Sequence, residues 1–400
     1  MKNIVVIGGG AAGFFAAIRA AERDPSHKVI ILERGREVLQ KVKISGGGRC
    51  NVTHACWVPK ELVKFYPRGN KALLGPFHKF ACGDTLDWFE KRGVKLKIEE
   101  DGRIFPESDS SQSILDCLLN AVKKAGVKVL TQQRVDSISL RPNGGFEIKA
   151  AEVFQADALI IAAGSSPAVW ALLEKMGHNI IEPVPSLFTF NIKDPRITEL
   201  AGLSVSDAMV DVIGQKSLQS NGPLLITHWG LSGPGILRLS AWGARWMHDQ
   251  DYNFKIRINW VSRNPEYIKE ELQDIKTDWA KKQVRANPTF DIPSRLWHKL
   301  VEAAGIGPTD IWANLTKVQM NGLWQQLCLS EWQVNGKSTF KEEFVTAGGI
   351  DLDEINFTRF ESKIVPNLFM AGEILDIDAV TGGFNFQAAW TGGWIIGESI

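Results

Sequence analysis

The first thirteen residues constrain the fold more than any other stretch. A short apolar run, Ile4-Val5-Val6-Ile7, leads straight into Gly8-Gly9-Gly10-Ala11-Ala12-Gly13. Four apolar residues without alternation fit a strand buried on both faces, and the Ala-rich stretch to Arg23 fits a helix. In Gly8-x-Gly10-x-x-Gly13, Gly8 permits a tight turn, Gly10 lets backbone approach a pyrophosphate, and Gly13 allows close helix–strand packing. Amides at the helix start, around Ala12, present partial positive charge to that anion. Val29-Ile30-Ile31-Leu32 reads as the next strand, and Glu33, followed by Arg34, closes it where a carboxylate can accept from ribose hydroxyls. A Gly-rich turn that serves packing alone leaves Glu33 unexplained. The opening unit therefore predicts a dinucleotide site.

The opposite end of the chain carries a second Gly-rich, acidic strand-loop-helix. Asn367 to Ala371 reads as a strand running into Gly372-Glu373, and Thr381-Gly382-Gly383 leads into a helical stretch from about Phe384-Asn385. One site built from both ends is the arrangement of a flavin fold. Amides at the second helix start could face the flavin edge where negative charge collects on reduction. Between the ends, Ser45-Gly46-Gly47-Gly48-Arg49-Cys50-Asn51 is a loop whose backbone can lie against a flat ring. Arg49 offers a fork of donors. Cys50 has no visible redox partner and reads as a small packing residue. For the acidic trio Glu373, Asp376 and Asp378 the plain readings are a solvated loop or a metal site. With no His or Cys nearby, a transition-metal site is not expected.

Length and composition set the bounds. Four hundred residues exceed one comfortable core, so two or three domains are expected. A net charge of +1 gives no general attraction to nucleic acid or an anionic membrane. Five cysteines, none in a Cys-x-x-Cys pair, do not make a disulfide framework or a zinc ribbon. The first apolar stretch stops too soon for a signal segment, and no run reaches the length of a membrane span. A soluble, cytoplasmic protein is expected.

The nucleotide-fold rhythm continues through helical stretches at 61–80 and 85–92, strand-like alternation at 95–106, a helix at 111–125 and a strand at 127–130. A hairpin follows from Val135, and then the buried strand Ala158–Ala162 ends at Ala163-Gly164. Residues 186–345 lack that rhythm. They read as strand-rich to 262 (187–192, 205–213, 254–260) and helical over about 263–330 (265–285, 293–304, 317–327). The expected architecture is α/β: a discontinuous Rossmann-like domain, 1–185 with 346–400, interrupted by an inserted substrate domain. Nine of the fourteen tryptophans lie in the insert. Core filling is the plainer reading of them; a cavity lined over the flavin is the sharper one.

These residues resemble the bacterial BaiN/YhiN-like, or aminoacetone-oxidase-like, family within the glutathione-reductase-type FAD superfamily. The matching segments are the first fingerprint, Lys41-x-x-x-Ser45 through Asn51, Gly177-His178 to Pro185, Thr227-His228-Trp229-Gly230-Leu231-Ser232-Gly233-Pro234, and nearly all of 346–387. The resemblance implies noncovalent FAD. It places Glu33 at ribose, Val135 at adenine, Lys41 and Ser45–Asn51 near the flavin, Gly372-Glu373 on the ribityl-phosphate side, and Gly383 to Asn385 at the ring. The chain departs from the pattern at Ala163, where Thr is usual, in the shortened stretch after Gly164, and at His54, where Asn is common.

Arg49 and His228 are the candidate catalytic groups. Imidazole titrates near neutrality, so His228 could donate a proton or anchor a substrate; the plainer reading is a histidine holding loop backbone. Gly230-Leu231-Ser232-Gly233 lacks the nucleophile-elbow spacing. The run to Gly235 is not a second dinucleotide fingerprint, and its proline is expected to interrupt a helix start. NAD(P)H, if it serves as donor, must then dock transiently. The expected activity is an FAD-dependent oxidoreductase. The resemblance implies either an NAD(P)H-dependent reductase of an activated double bond or an oxygen-dependent oxidase of a small amine, with the organic step carried by the cofactor. A second class is an RNA-modifying flavoprotein and a third a redox-sensing or structural protein that retains FAD; no nucleic-acid partner is expected. Residues 263–345 hold eleven basic and eleven acidic residues, which supply no docking field.

Overall fold

Ile4, Val5, Val6 and Ile7 are all buried in the central strand of a parallel sheet. The parallel strands run in the order Lys128–Leu130, Lys28–Leu32, Asn3–Ile7, Ala158–Ile161, Leu368–Met370. In chain order that is the nucleotide-binding arrangement, with its last parallel strand supplied by the C-terminal segment. Glu361–Ser362 and Ile355–Asn356 extend the sheet antiparallel. The computed structural model describes residues 1–338 and 345–400. They form two compact units, 1–184 with 345–400, and 185–338. The second domain junction expected near 345 borders residues outside the described ones.

In the first unit the opening helix, Ala11–Arg23, lies along the C-terminal helix, Phe384–Ser399. Their approach is close enough that a Cβ on Gly393 would fall 2.5 Å from the Ala12 carbonyl oxygen, and one on Gly397 2.8 Å from the Ala20 nitrogen. Arg19 and Arg23 both pair with Glu398 at the far end. Two three-stranded antiparallel sheets flank the core: Thr53–His54, Arg103–Pro106 and Leu96–Ile98, and then Ser137–Leu140, Phe146–Lys149 and Val153–Ala156. The helical stretch expected over 61–80 is broken into Pro59–Leu62, a 3-10 turn at Val63–Phe65, and Asn70–Phe77. Gly69, with φ near +84°, caps the start of the last piece.

The insert folds around an antiparallel sheet. Its order is Ser330–Asn335, Asn253–Asn259, Ser204–Val212, Gln215–Ile226, Gly230–Ser232, Thr189–Asn191, Lys337–Ser338. Helices Pro265–Asp278, Ser294–Ala303 and Lys317–Cys328 fall where the periodicity predicts them. Pro234–Asp249, a sixteen-residue helix, does not. Proline does not interrupt this helix but opens it: Pro234 sits at the first turn, where its missing N–H costs nothing and its fixed φ is already helical. Trp260, Trp297, Trp312 and Trp332 are buried in the insert core, and Trp246, Trp279 and Trp324 pack against it. Trp229 and Trp242 are exposed. Among the described residues no helix is long and apolar enough to cross a membrane.

Candidate cofactor and active site

The fingerprint glycines are required by contact. A Cβ on Gly13 would sit 2.1 Å from the Gly8 carbonyl oxygen, and one on Gly8 2.3 Å from that of Ala162. At Gly10 a Cβ would meet nothing within 4 Å, so this backbone borders open space. No side chain caps the helix that follows it. Glu33 closes the second strand and grips the loop: Gly9 N–H donates to Oε2 at 2.8 Å and Gly35 N–H to Oε1 at 2.7 Å. Gln133 N–H donates to the Glu33 carbonyl at 2.8 Å, which runs the segment before buried Val135 beside this carboxylate. Gln133 Oε1 is a buried acceptor with no partner among the described residues. Arg34 is exposed.

The helix Gln40–Gly48 carries Lys41 and then abandons helical geometry at Ser45, Gly46 and Gly47. Gly46, Gly47 and Gly48 have φ near +58°, +68° and +84°, a region that favours glycine. Gly47 and Gly48 face open space. Cys50 is buried, and burial pushes its thiol up to about 12, which removes it from thiolate chemistry. Arg49 points elsewhere than expected of a substrate anchor. Its Nη1 donates to Glu99 at 2.6 Å and Asp109 at 3.4 Å, and its guanidinium lies 3.9 Å from the Phe105 ring centre.

The C-terminal loop closes on both pieces. A Cβ on Gly372 would lie 3.4 Å from that of Ala12, and one on Gly164, beside half-buried Ala163, 3.7 Å from Glu373 Oε2. Lys41 and Glu373 form an ion pair across 332 residues of chain. Asp378 is not solvated: it is fully buried and bidentate to Arg68. Among the described residues no group of three potential ligands gathers. Asn385 clamps the loop, accepting from Ala379 N–H at 3.0 Å and donating to the Ala379 carbonyl at 3.1 Å.

Buried polar side chains fix the start of the C-terminal helix, and the sequence reading missed most of them. The hydroxyls of Thr53 and Thr85 donate to Gln387 Oε1 at 2.6 and 2.9 Å, and Gln387 Nε2 donates to Thr391 at 3.0 Å. Tyr66 O–H donates to the Phe384 carbonyl at 2.6 Å. Gln387 is a polar residue set between Phe386 and Ala388 in a largely apolar helix, and that is the available signal. Nothing local marks Arg68, Tyr66 or Thr85.

In the insert, His228 and Trp229 occupy the turn between Gln215–Ile226 and Gly230–Ser232. Thr227, not His228, holds this turn: its Oγ1 accepts from Trp229 and Gly230 N–H at 3.2 Å each. His228 is exposed and makes no bond among the described residues, so it does not brace the loop.

A family model described as HI0933-like protein Rossmann domain matches residues 2–399. The chain belongs to this family. It is an FAD-dependent oxidoreductase. The 3-dehydro-bile acid delta(4,6)-reductase of Clostridium scindens is 28% identical, covering 100% of this chain and 99% of that protein. A ribosomal RNA dihydrouridine synthase of Escherichia coli is 28% identical over 100% of this chain and 98% of its own, and one of Haemophilus influenzae 27% over 99% and 98%. The fold is shared with a 3-ketosteroid-delta4-(5alpha)-dehydrogenase from Rhodococcus jostii RHA1, at a TM-score of 0.53 and 14% identity over 100% of this chain and 96% of that one. A flavocytochrome c3 fumarate reductase gives 0.50 at 15%, over 99% and 77%.

The residues present fit FAD. An uncapped helix start beside open space at Gly10 suits a pyrophosphate, and the Glu33 carboxylate at the end of the second strand suits a ribose. The unfilled backbone at Gly47 and Gly48 suits the approach of a flat ring.

Proposed function

We propose that this family member reduces a carbon–carbon double bond conjugated to a carbonyl, with NAD(P)H as hydride donor. The full-length relationship to a bile-acid delta(4,6)-reductase carries this reading. When bound, FAD supplies hydride transfer through its N5 position. The chain's own residues bind and orient. Amides at Gly10 and Ala12 hold the pyrophosphate, and Glu33 accepts from ribose on lone pairs left free by Gly9 and Gly35. Val135 backbone meets adenine. Lys41 and the backbone of Ser45–Asn51 border the flavin, Gly372-Glu373 the ribityl-phosphate side, and Gly383 to Asn385 the ring. Arg49, neutralised by Glu99 and Asp109, braces the loop. His228, exposed and without a hydrogen bond among the described residues, is the candidate proton donor that substitution would test.

The pairs within the insert sheet are antiparallel, whereas a second dinucleotide fold needs parallel βαβ units. NAD(P)H therefore docks transiently. Anaerobic stopped-flow with NADH and NADPH, followed by reoxidation with a conjugated cyclic enone, tests the reading. Rapid bleaching and enone-dependent return of colour are expected. Bleaching by aminoacetone, with return of colour in oxygen alone, would replace the reductase with an amine oxidase.

The two relatives named for ribosomal RNA favour a second reading, in which the reduced double bond belongs to a uracil base. The charge balance of residues 263–345 offers such a partner no field. Incubation of the reduced protein with ribosomal RNA, read by mass as a gain of two hydrogens on uridine, separates the two.

A further inference from the structure

Segment Asn51–His54 is locked onto the start of the C-terminal helix. Gly382 and Gly383 have φ near +130° and +89°. Two such residues in series have wide conformational freedom unless something outside the turn holds them. Each is held. Asn51, with its amide oriented to satisfy both ends, accepts from Gly383 N–H and donates to the Thr53 carbonyl, at 3.0 Å each. His54 Nδ1 lies 3.1 Å from the Gly382 carbonyl oxygen. That oxygen can only accept, so Nδ1 carries the proton. The imidazole packs against Phe384, tilted by 33°, at 4.5 Å between ring centres, and Phe384 stacks on Phe65 at 4.2 Å. Burial holds the His54 pKa below the ordinary histidine value, which keeps the ring neutral and its tautomer defined at neutral pH.

The amides of Phe384, Asn385 and Phe386 precede the first intrahelical bond, from Gln387 N–H to the Gly383 carbonyl at 3.0 Å, and no side chain caps them. Their direction is set by the Gly382-Gly383 turn. We propose that His54 is a positioning residue for the flavin: through Gly382 it aims these amides at the reducible ring and so favours the reduced, more negative cofactor. The inference rests on the placement of the ring at Gly383 to Asn385 given above. It concerns electron affinity and is independent of the substrate.

Two substitutions separate the bond from the ring contact. H54F keeps a ring against Phe384 and loses the donor. H54N loses the ring but places an amide N–H at the same number of bonds from the backbone. Redox titration of the holoenzymes is expected to show H54F shifted about tenfold toward oxidised flavin, about 30 mV for a two-electron couple. H54N should stay within about twofold of wild type, about 10 mV. FAD affinity should change by less than about threefold in both, because the fingerprint and Glu33 hold the other end. A wild-type potential in H54F, or an H54N as low as H54F, overturns the proposal. Should H54F bind no flavin, hydrogen exchange on the apoproteins reads the same contrast: amides 382–386 exchange faster in H54F than in H54N, and equal rates overturn it. The titration needs no substrate, so an empty substrate screen bears on the reductase reading alone.

Discussion

Gly13 and Trp297 mark two ways in which this chain builds a core. In the nucleotide unit the critical positions carry the least side chain: Gly8, Gly13, Gly393 and Gly397 each sit where a Cβ would fall under 3 Å from backbone atoms. In the insert the critical positions carry the most, with Trp260, Trp297, Trp312 and Trp332 at 1% exposure or less. A pyrophosphate is held by backbone amides, so strand, turn and helix must come together without side chains in the way. The insert has its own close approaches at Gly230 and Gly233, but it gains its stability chiefly from large apolar area. Site chemistry is therefore expected to be most sensitive to added atoms in one unit, and folding to removed atoms in the other.

The largest effect should come from adding atoms at the fingerprint. Gly13→Val places new atoms on the Gly8 carbonyl, and FAD binding should weaken by well over about tenfold, beyond 1.4 kcal/mol; flavin absorbance per protein measures it. Full flavin content in this variant would break the contrast. Next, Trp297→Ala removes a buried indole that donates to the Val284 carbonyl at 2.9 Å. A loss of about 3–5 kcal/mol in denaturant unfolding is expected, with FAD still bound at one per chain. Loss of FAD alongside would show that the units depend on one another more than their cores suggest. Gly393→Ala, at the helix crossing, should cost about 1–3 kcal/mol by overpacking.

The smallest effect sharpens what the two cores share. Burial raises the thiols of Cys50 in the nucleotide unit and Cys328 in the insert to about 12. A raised thiol pKa means less thiolate, so neither should react with iodoacetamide at pH 8 in the folded protein, and mass spectrometry reads the outcome. Labelling of Cys50 alone would mean that the Ser45–Asn51 loop opens.

Much of this was legible because it is local. Strand, turn and helix at residues 3–23 follow from periodicity and glycine spacing within one short window. The helix Pro234–Asp249 is hidden from a rule that treats Gly233-Pro234 as a breaker, because proline in the first turn is a start signal. Arg49 was legible as a donor, but its partners Glu99 and Asp109 lie fifty or more residues away. The sequence leaves Asp378 as part of a solvated loop or a metal site, and only its burial against Arg68 shows that it is not solvated.

By itself the amino-acid sequence determined the dinucleotide unit, its completion by the C-terminal segment and the flavin assignment, because glycines at set spacings permit few backbone paths. Tertiary structure alone decided which side chains hold that backbone still. Tyr66, Arg68, Thr53 and Thr85 reach the C-terminal helix and the loop before it from about three hundred residues away. Hydrogen bonds over such separations leave no periodic trace along the chain. They exist only once hydrophobic burial has brought the two ends together.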